Sequence, residues 1–401
     1  MASPGSKKAL LCVVTLLFWF AQYIYIPFLT PYLMTLAISA TVVGAIIGAY
    51  GLTQLLLRIP LGISLDILRN HKLVILVGVF LSGISSVGML FFPSPVMLFI
   101  SNALSGVASS TWISFTILYA SYHESQQSTK AIGIINVCFQ TGILLAFIVG
   151  GFLFGRYGIH SLFKTSFASG MLGTLLALCI PHEASAKGTN VTVASLLKVV
   201  RDRRVICFSL LCGVAWFVVF ATVFSFSTST AKALGATGLQ LGVLSMLYSV
   251  GTIGGSYFVA TRIAHTVGEK WLLSTAFAIL ALYCACIPLA THLSLFYPLQ
   301  LICGLGNGVL LAATMAFAVK EVEPEKKTTA MGFFQSIYCI GITMGPVVMG
   351  MLIDHGGKLV AFLAVAAMAL ACAVLVPLIY RSGFLDHRGA SSPLRSNPST
   401  D

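Results

Sequence analysis

The 401-residue chain is 58% hydrophobic and only 8% charged, against roughly 25% charged in an ordinary soluble domain. A water-facing shell cannot be assembled from that mixture, so a soluble fold of two or three domains is excluded and lipid is the expected solvent. The net charge of +12 does not point to nucleic acid, because the basic residues lie in short clusters between apolar runs, where they read as topology signals and anchors for lipid headgroups.

A helix crossing ~30 Å of hydrocarbon needs about 20 apolar residues. Twelve such spans are expected along the chain, which makes it an all-α integral membrane protein. The first, Leu10–Tyr32, follows Lys7 and Lys8 and is too long for the h-region of a signal peptide, so it reads as an uncleaved helix entered from the cytoplasm. Trp19, Gln22 and Tyr23 share one of its faces. They are equally suited to stacking on and hydrogen-bonding a solute or to packing inside the bundle.

Span 2, Val42–Leu65, runs into Arg58-Ile-Pro60-Leu-Gly62-Ile-Ser-Leu-Asp66-Ile-Leu-Arg69-Asn-His-Lys72 ahead of span 3, Leu73–Phe92. Gly62 lets another helix approach closely, and Asp66 at a helix end can face the positive N-terminus of a neighbour. Solvated loop charges are the plainer reading of Asp66 and Arg69. Arg58 stands two turns before Asp66 inside the apolar run. At the bilayer centre such a charge costs about 2.5–3.5 kcal/mol, so Arg58 must snorkel or pair.

Span 4, Val96–Tyr119, carries Asn102, Ser105, Ser109, Trp112 and Thr116 at spacings of 3, 4, 3 and 4, which places them on one face. That stripe is either a cavity wall or a helix interface in which small hydroxyls return to the preceding turn. Span 5, Ala131–Phe154, holds Asn136 and Gln140, and span 6 is Leu162–Ile180. Residues 181–204 are the longest break and the natural boundary between halves, with Val193–Val200 expected to lie as an amphipathic segment on the cytoplasmic leaflet.

Spans 7 to 12 are Val205–Thr230, Gly238–Thr261, Trp271–Ala290, Leu293–Val319, Thr329–Ile353 and Val360–Tyr380. Trp216 and Phe220 share a face of span 7, and Asn307 and Thr314 a face of span 10. Span 11 holds Gln335 and Tyr338 and the run Gly341-Ile-Thr-Met-Gly345-Pro346-Val-Val-Met-Gly350. There Pro346 removes a backbone hydrogen bond and the glycines permit sliding, so this stretch is expected to bend. Residues 382–401 are expected to form a disordered cytoplasmic tail.

Thr129, Ala131, Gly133, Gly142, Gly151 and Gly158 recur 199 residues later as Thr328, Ala330, Gly332, Gly341, Gly350 and Gly357. A common offset of half the chain implies two parallel six-helix units, 1–180 and 205–381, about an axis along the membrane normal. With both termini cytoplasmic, 19 of the 23 Lys and Arg fall inside, as the positive-inside rule requires. The ten cysteines sit in or beside apolar runs without metal or disulfide spacing.

The Arg58 to Lys72 segment resembles the loop signature of the major facilitator superfamily, most nearly its twelve-helix drug/proton antiporter branch, and the helix number, central loop and paired halves carry the likeness along the whole chain. The resemblance implies the major facilitator fold, with Arg58, Gly62, Asp66, Arg69 and Lys72 as a cytoplasmic latch against helix 11. It also implies a central cavity lined by helices 1, 4, 7 and 10. Trp19, Gln22, Tyr23, Asn102, Ser105, Ser109, Trp112, Asn136, Gln140, Trp216, Asn307, Gln335 and Tyr338 are then the candidate cavity residues, and Gly341, Gly345, Pro346 and Gly350 the candidate bending element.

The expected activity is secondary transport of a small amphipathic or neutral organic solute by a monomer in the cytoplasmic membrane, through efflux with protons as a candidate coupling ion. The Gly-Pro signature of the antiporter branch sits here in span 11 instead of span 5, and Asn102 stands where that branch often has an arginine. No Asp, Glu or His lies mid-span, which removes the usual proton carriers. An uncoupled facilitator or importer, or a solute sensor on the same fold, stays open. No metalloprotease His pair, phosphate loop or intramembrane carboxylate pair occurs, so neither an enzyme nor a cofactor or metal is expected.

Overall fold

A computed structural model describes residues 4–68, 70–124, 128–181, 202–259, 266–322 and 327–382, and its regular elements are all helices. In chain order they are α1 (Pro4–Tyr23), α2 (Ile26–Leu33), α3 (Ala40–Leu68), α4 (His71–Phe91), α5 (Pro95–Ser110), α6 (Trp112–Ser121), α7 (Ser128–Tyr157) and α8 (Ile159–Leu178). The second half comprises α9 (Arg203–Ala221), α10 (Ser227–Ala233), α11 (Gly238–Val259), α12 (Glu269–Cys286), α13 (Phe296–Val319) and α14 (Lys327–Arg381). The amphipathic segment expected at Val193–Val200 and, apart from Ser382, the tail expected at 382–401 lie outside the described residues.

Three crossings are interrupted, each for a local reason. The α1/α2 break precedes Pro27, whose missing N–H leaves the Tyr23 carbonyl without its helical donor. At α5/α6, the Ser110 and Thr111 hydroxyls turn back onto the Gly106 and Ala108 carbonyls, a local bond that competes with the helix ladder. Between α9 and α10 lies a single π-helical turn, Thr222–Phe226, with the Ser225 hydroxyl on the Phe220 carbonyl.

Eleven helical stretches among the described residues are long and apolar enough to cross a membrane. The last, Ala330–Arg381, has 52 residues, or ~78 Å at 1.5 Å per residue, more than twice a hydrocarbon core. Its helical dihedrals break at Gly357, with φ 75° and ψ 170°. The short loop expected between Ile353 and Val360 is thus one left-handed glycine inside a nearly continuous helix.

The glycines spaced 199 apart occupy matching places in space. Gly158 and Gly357 turn the chain at φ 73° and 75°, where a residue with a Cβ is strained. Gly142 packs against the Leu16 carbonyl of α1 and Gly341 against the Gly213 carbonyl of α9, each within its own half. Gly151 meets Gly238 and Gly242 of α11, and Gly350 meets Ala40 of α3, each across the halves. Around Gly133 and Gly332, one or two turns from the opposite ends of the same helices, no heavy atom of another element among the described residues lies within 4 Å of where a Cβ would sit.

The end of the bundle that carries Gly158 and Gly357 is called distal, and the end where α1 begins proximal. The halves meet along α3/α14 and α7/α11 and, toward the distal end, where α2 packs on α10 and on the π turn. At the repeated glycine positions they are therefore sealed distally and parted proximally.

Candidate functional site

Most of the polar stripe on α5 is occupied in joining helices of the first half. The Gln22 amide donates to the Ser105 carbonyl at 3.0 Å while its oxygen accepts from the Ser105 hydroxyl, and the Tyr25 hydroxyl donates to Ser105 Oγ at 3.2 Å. Asn102 donates to the Ile46 and Ile47 carbonyls of α3 at 2.7 and 3.1 Å, and Ser109 Oγ lies 2.9 Å from Tyr50 Oη. Gln22 and Ser105, expected as cavity residues, thus satisfy one another inside the bundle.

Trp112 opens α6 and packs with Trp19 (ring centroids 5.4 Å apart), Phe115 and Phe139 in an aromatic cluster of the first half. The Trp19 indole N–H is buried with no acceptor among the described residues. Tyr23 carries this cluster toward the second half through edge contacts with Phe147 and with Phe224 of the π turn.

Between the halves, Tyr50, Asn102, Phe220 and Phe224 close over a cavity of about 20 Å³ with Ile26, Leu29 and Ile47, room for a single water. Tyr50 is the first of three polar residues, Tyr50, Gln54 and Arg58, that recur every four positions on one face of α3. Arg58 reaches across to α14: Nη1 donates to Tyr338 Oη at 2.7 Å and Gln335 Oε1 at 3.1 Å, and Nη2 to Gln54 Oε1 at 2.7 Å. Trp216 of α9 stacks on Tyr338 at 5.7 Å and touches Phe220 at 5.6 Å. Gln335 and Tyr338 therefore form, with Arg58, one polar contact between halves, and Trp216 flanks it.

In the second half, Asn307 donates to Tyr248 Oη at 2.8 Å, leaving its own carbonyl oxygen buried without a donor. Asn136 is exposed and Gln140 half-buried on the parted part of α7, away from the Arg58 group.

The rest of the expected latch is only partly described. The side chains of Gly62 and Asp66 on α3, and Arg69 altogether, lie outside the described residues. Lys72, expected in the same latch, instead donates to the Leu178 carbonyl at 2.8 Å. It neutralises the C-terminal end of α8 within its own half. The α14 backbone keeps helical dihedrals through Pro346, and Gly341, Gly345 and Gly350 serve close approach to Gly213, Phe217 and Ala40.

Sequence reasoning did not find three contacts. At the distal end, Asp354 of α14 accepts from the Ala40 and Thr41 N–H groups at 2.9 and 2.8 Å and from the Thr41 hydroxyl at 2.6 Å. It thus caps the N-terminus of α3 from the opposite half. Lying past the last apolar turn, its carboxylate is held below the usual range by the Thr41 hydroxyl and backbone N–H. At the proximal end of the second half, Glu269 gathers Arg204 (3.4 Å), Lys320 (2.7 Å) and the Tyr380 hydroxyl (2.8 Å), and Arg204 also pairs with Glu321 at 2.8 Å. The third is Gln54, a polar residue one turn before Arg58 in an apolar run, whose spacing was a usable signal.

The family model of the Major Facilitator Superfamily matches residues 11–231 and 219–399, once on each half. The chain is a member of the major facilitator superfamily. As such it is a multi-pass membrane protein with the family's fold. A curated relative, the proton-coupled antiporter flippase LtaA of Staphylococcus haemolyticus, is 23% identical over 408 aligned positions, covering 98% of each chain. Among solved structures, the nucleoside transporter NupG superposes with a TM-score of 0.78 at 17% identity, covering 94% of this chain and 99% of its own. A bacterial homologue of the human lysosomal transporter Spinster, inward-facing and occupied, gives 0.77 at 17% identity over 98% of this chain and 100% of its own.

Proposed function

We propose that this facilitator is a twelve-helix secondary transporter, with halves 1–180 and 205–381 joined by a cytoplasmic loop at 181–204, that moves a small amphipathic organic solute across the cell membrane by alternating access. Its proximal end is cytoplasmic on this reading, it acts as a monomer, and it exports its solute in exchange for protons. The observation that carries the proposal is the seal and gap at equivalent repeat positions. Gly151 and Gly350 lie against the opposite half, while Gly133 and Gly332, on the same helices, face open space. Two rigid halves pivoting about that distal contact would expose a midplane site to one side at a time. The likeness to an antiporter flippase and to an inward-facing neighbour supports the same reading.

An uncoupled facilitator or importer of a small metabolite is the second reading. It is favoured by the lack of any carboxylate in the middle of the described spans. One experiment addresses both. The purified chain is reconstituted into liposomes with an imposed pH gradient and offered a panel of neutral, anionic and cationic amphipathic dyes. Gradient-driven movement of a dye, stopped when Thr41→Cys and Asp354→Cys, whose native side chains touch across the seam, are cross-linked, is the expected result. Movement indifferent to the gradient selects the facilitator, and rates equal to protein-free or cross-linked vesicles refute transport.

A further inference from the structure

Arg58 is the cation of the described membrane interior that meets no carboxylate among the described residues. The contrast with Arg204 is direct. Arg204, at the proximal boundary, is given two glutamates, whereas the guanidinium of Arg58 meets neutral partners among the described residues, the side-chain oxygens of Gln54, Gln335 and Tyr338 and the face of the Tyr338 ring at 5.2 Å. A charge held inside a bilayer by neutral groups is costly, and such residues mark ligand or ion pathways.

The hydrogen-bond inventory around Arg58 has a sign. A guanidinium has five N–H donors, and three bonds are made. Each bond takes one lone pair of the Gln54, Gln335 or Tyr338 side-chain oxygen, and the cluster holds more N–H and O–H donors than lone pairs to receive them. The donors outside those three bonds are the unused guanidinium N–H groups, the Gln335 amide, the Tyr338 O–H and the Gln54 amide nitrogen, which is buried with no partner. The group is short of acceptors and positively charged, which is the chemistry of a carboxylate or phosphate receptor. The repeat makes it one-sided. Gly106 packs on the Tyr50 carbonyl and Gly304 on that of Tyr248, an offset of 198, and the same offset carries Arg58 to Ser256, which is neutral.

We infer that Arg58, with Gln54, Gln335 and Tyr338, binds the oxyanion of the transported solute, whose flat apolar body lies against Trp216 and Phe220. This rests on the transport reading and narrows it from an amphipathic or neutral solute to an amphipathic organic anion. Because α3 and α14 belong to opposite halves, an anion accepting from both would tie the halves together, and its release would free them. Nothing in the covalent chemistry changes; recognition is by charge-assisted hydrogen bonds alone.

The test measures binding apart from transport. The full chain in phosphatidylcholine nanodiscs is titrated with 2-naphthoate, 1-naphthyl phosphate and the neutral isostere 2-naphthylmethanol, reading thermal shift and tryptophan quenching. Both anions, or the one whose geometry fits, should bind about 10- to 100-fold more tightly than the alcohol. Arg58→Gln should erase that difference, and Arg58→Lys should keep part of it. Phosphatidylglycerol added to the discs should compete if a lipid headgroup is the occupant and leave the titration unchanged if the occupant is a free solute; either way the oxyanion site stands. Equal affinity of wild type for anion and alcohol overturns the inference without any variant having to fold, as does an anion preference that survives Arg58→Gln. Anion binding through Arg58 without movement in liposomes refutes the transport reading and spares the site.

Discussion

Trp112 and Asp354 show how a single residue's partner decides its meaning. On sequence alone Trp112 was the best-placed aromatic of a cavity stripe. Its contacts with Trp19, Phe115 and Phe139 pack it, half-buried, against the core of one half, so Trp112→Ala should cost roughly 3 kcal/mol of stability, lower the melting temperature in detergent, and leave ligand selectivity unchanged in the protein that survives. Asp354→Asn removes the charge from a helix cap worth at most about 1 kcal/mol. A cysteine placed at the distal seam should then react faster with a maleimide. Because the folded carboxylate titrates below its ordinary value, its contribution is complete above the ordinary aspartate range and is lost only as pH falls through the lowered value. Distal labelling rates, taken relative to a free thiol at the same pH, should therefore be flat between about pH 5 and 8. What the sequence could not show at this scale is who already has a partner. Periodicity aligned Gln22 and Ser105 with the cavity-facing helices, but only the register between α1 and α5 reveals that each satisfies the other.

At the scale of helices, the repeated glycines are a built-in matched experiment. A methyl on Gly350 would sit 2.1 Å from the Ala40 carbonyl, a backbone atom that cannot step aside, whereas one on Gly332 would meet nothing within 4 Å. Gly350→Ala should force the α3/α14 seam apart and slow any transport cycle severely, while Gly332→Ala should be neutral or stabilise α14 by up to ~1 kcal/mol. Melting curves and dye movement in liposomes check both. This contrast was half legible beforehand. The offset of 199 identified which glycines correspond, since repeat identity is written in spacing. Whether a given pair packs or gapes depends on how far the halves are tilted, which no local pattern encodes. The span lengths were legible for the same reason, because ~30 Å of hydrocarbon sets them. The turn at Gly357 was not, since a one-residue reversal needs only a glycine and leaves no polar loop to read.

For the whole molecule, composition fixed the solvent and the repeat fixed the plan of two halves, while the state and the site emerged only in three dimensions. Arg58 meets Gln335 and Tyr338 some 280 positions along the chain, and neither partner's sequence neighbourhood announces the other. On the inward-open reading, an impermeant thiol reagent added from the cytoplasmic face should label a cysteine at Gly332 and spare one at Val347, whose side chain packs on Gly48 of α3. An anion that binds at Arg58 and draws α3 and α14 together should protect the first position. Equal labelling of both from either face contradicts a sealed distal end.

The distal turns carry a last implication. Chain reversal there uses single residues at Gly158 and Gly357 and stretches of three to nine residues at 92–94, 234–237, 34–39 and 287–295. Such tight hairpins offer a protease no extended strand to thread into its active site. They also give α7 with α8, and the two arms of α14, no slack, so under the proposed rocking each pair would swing as a stiff V whose apex stays put while its open legs travel.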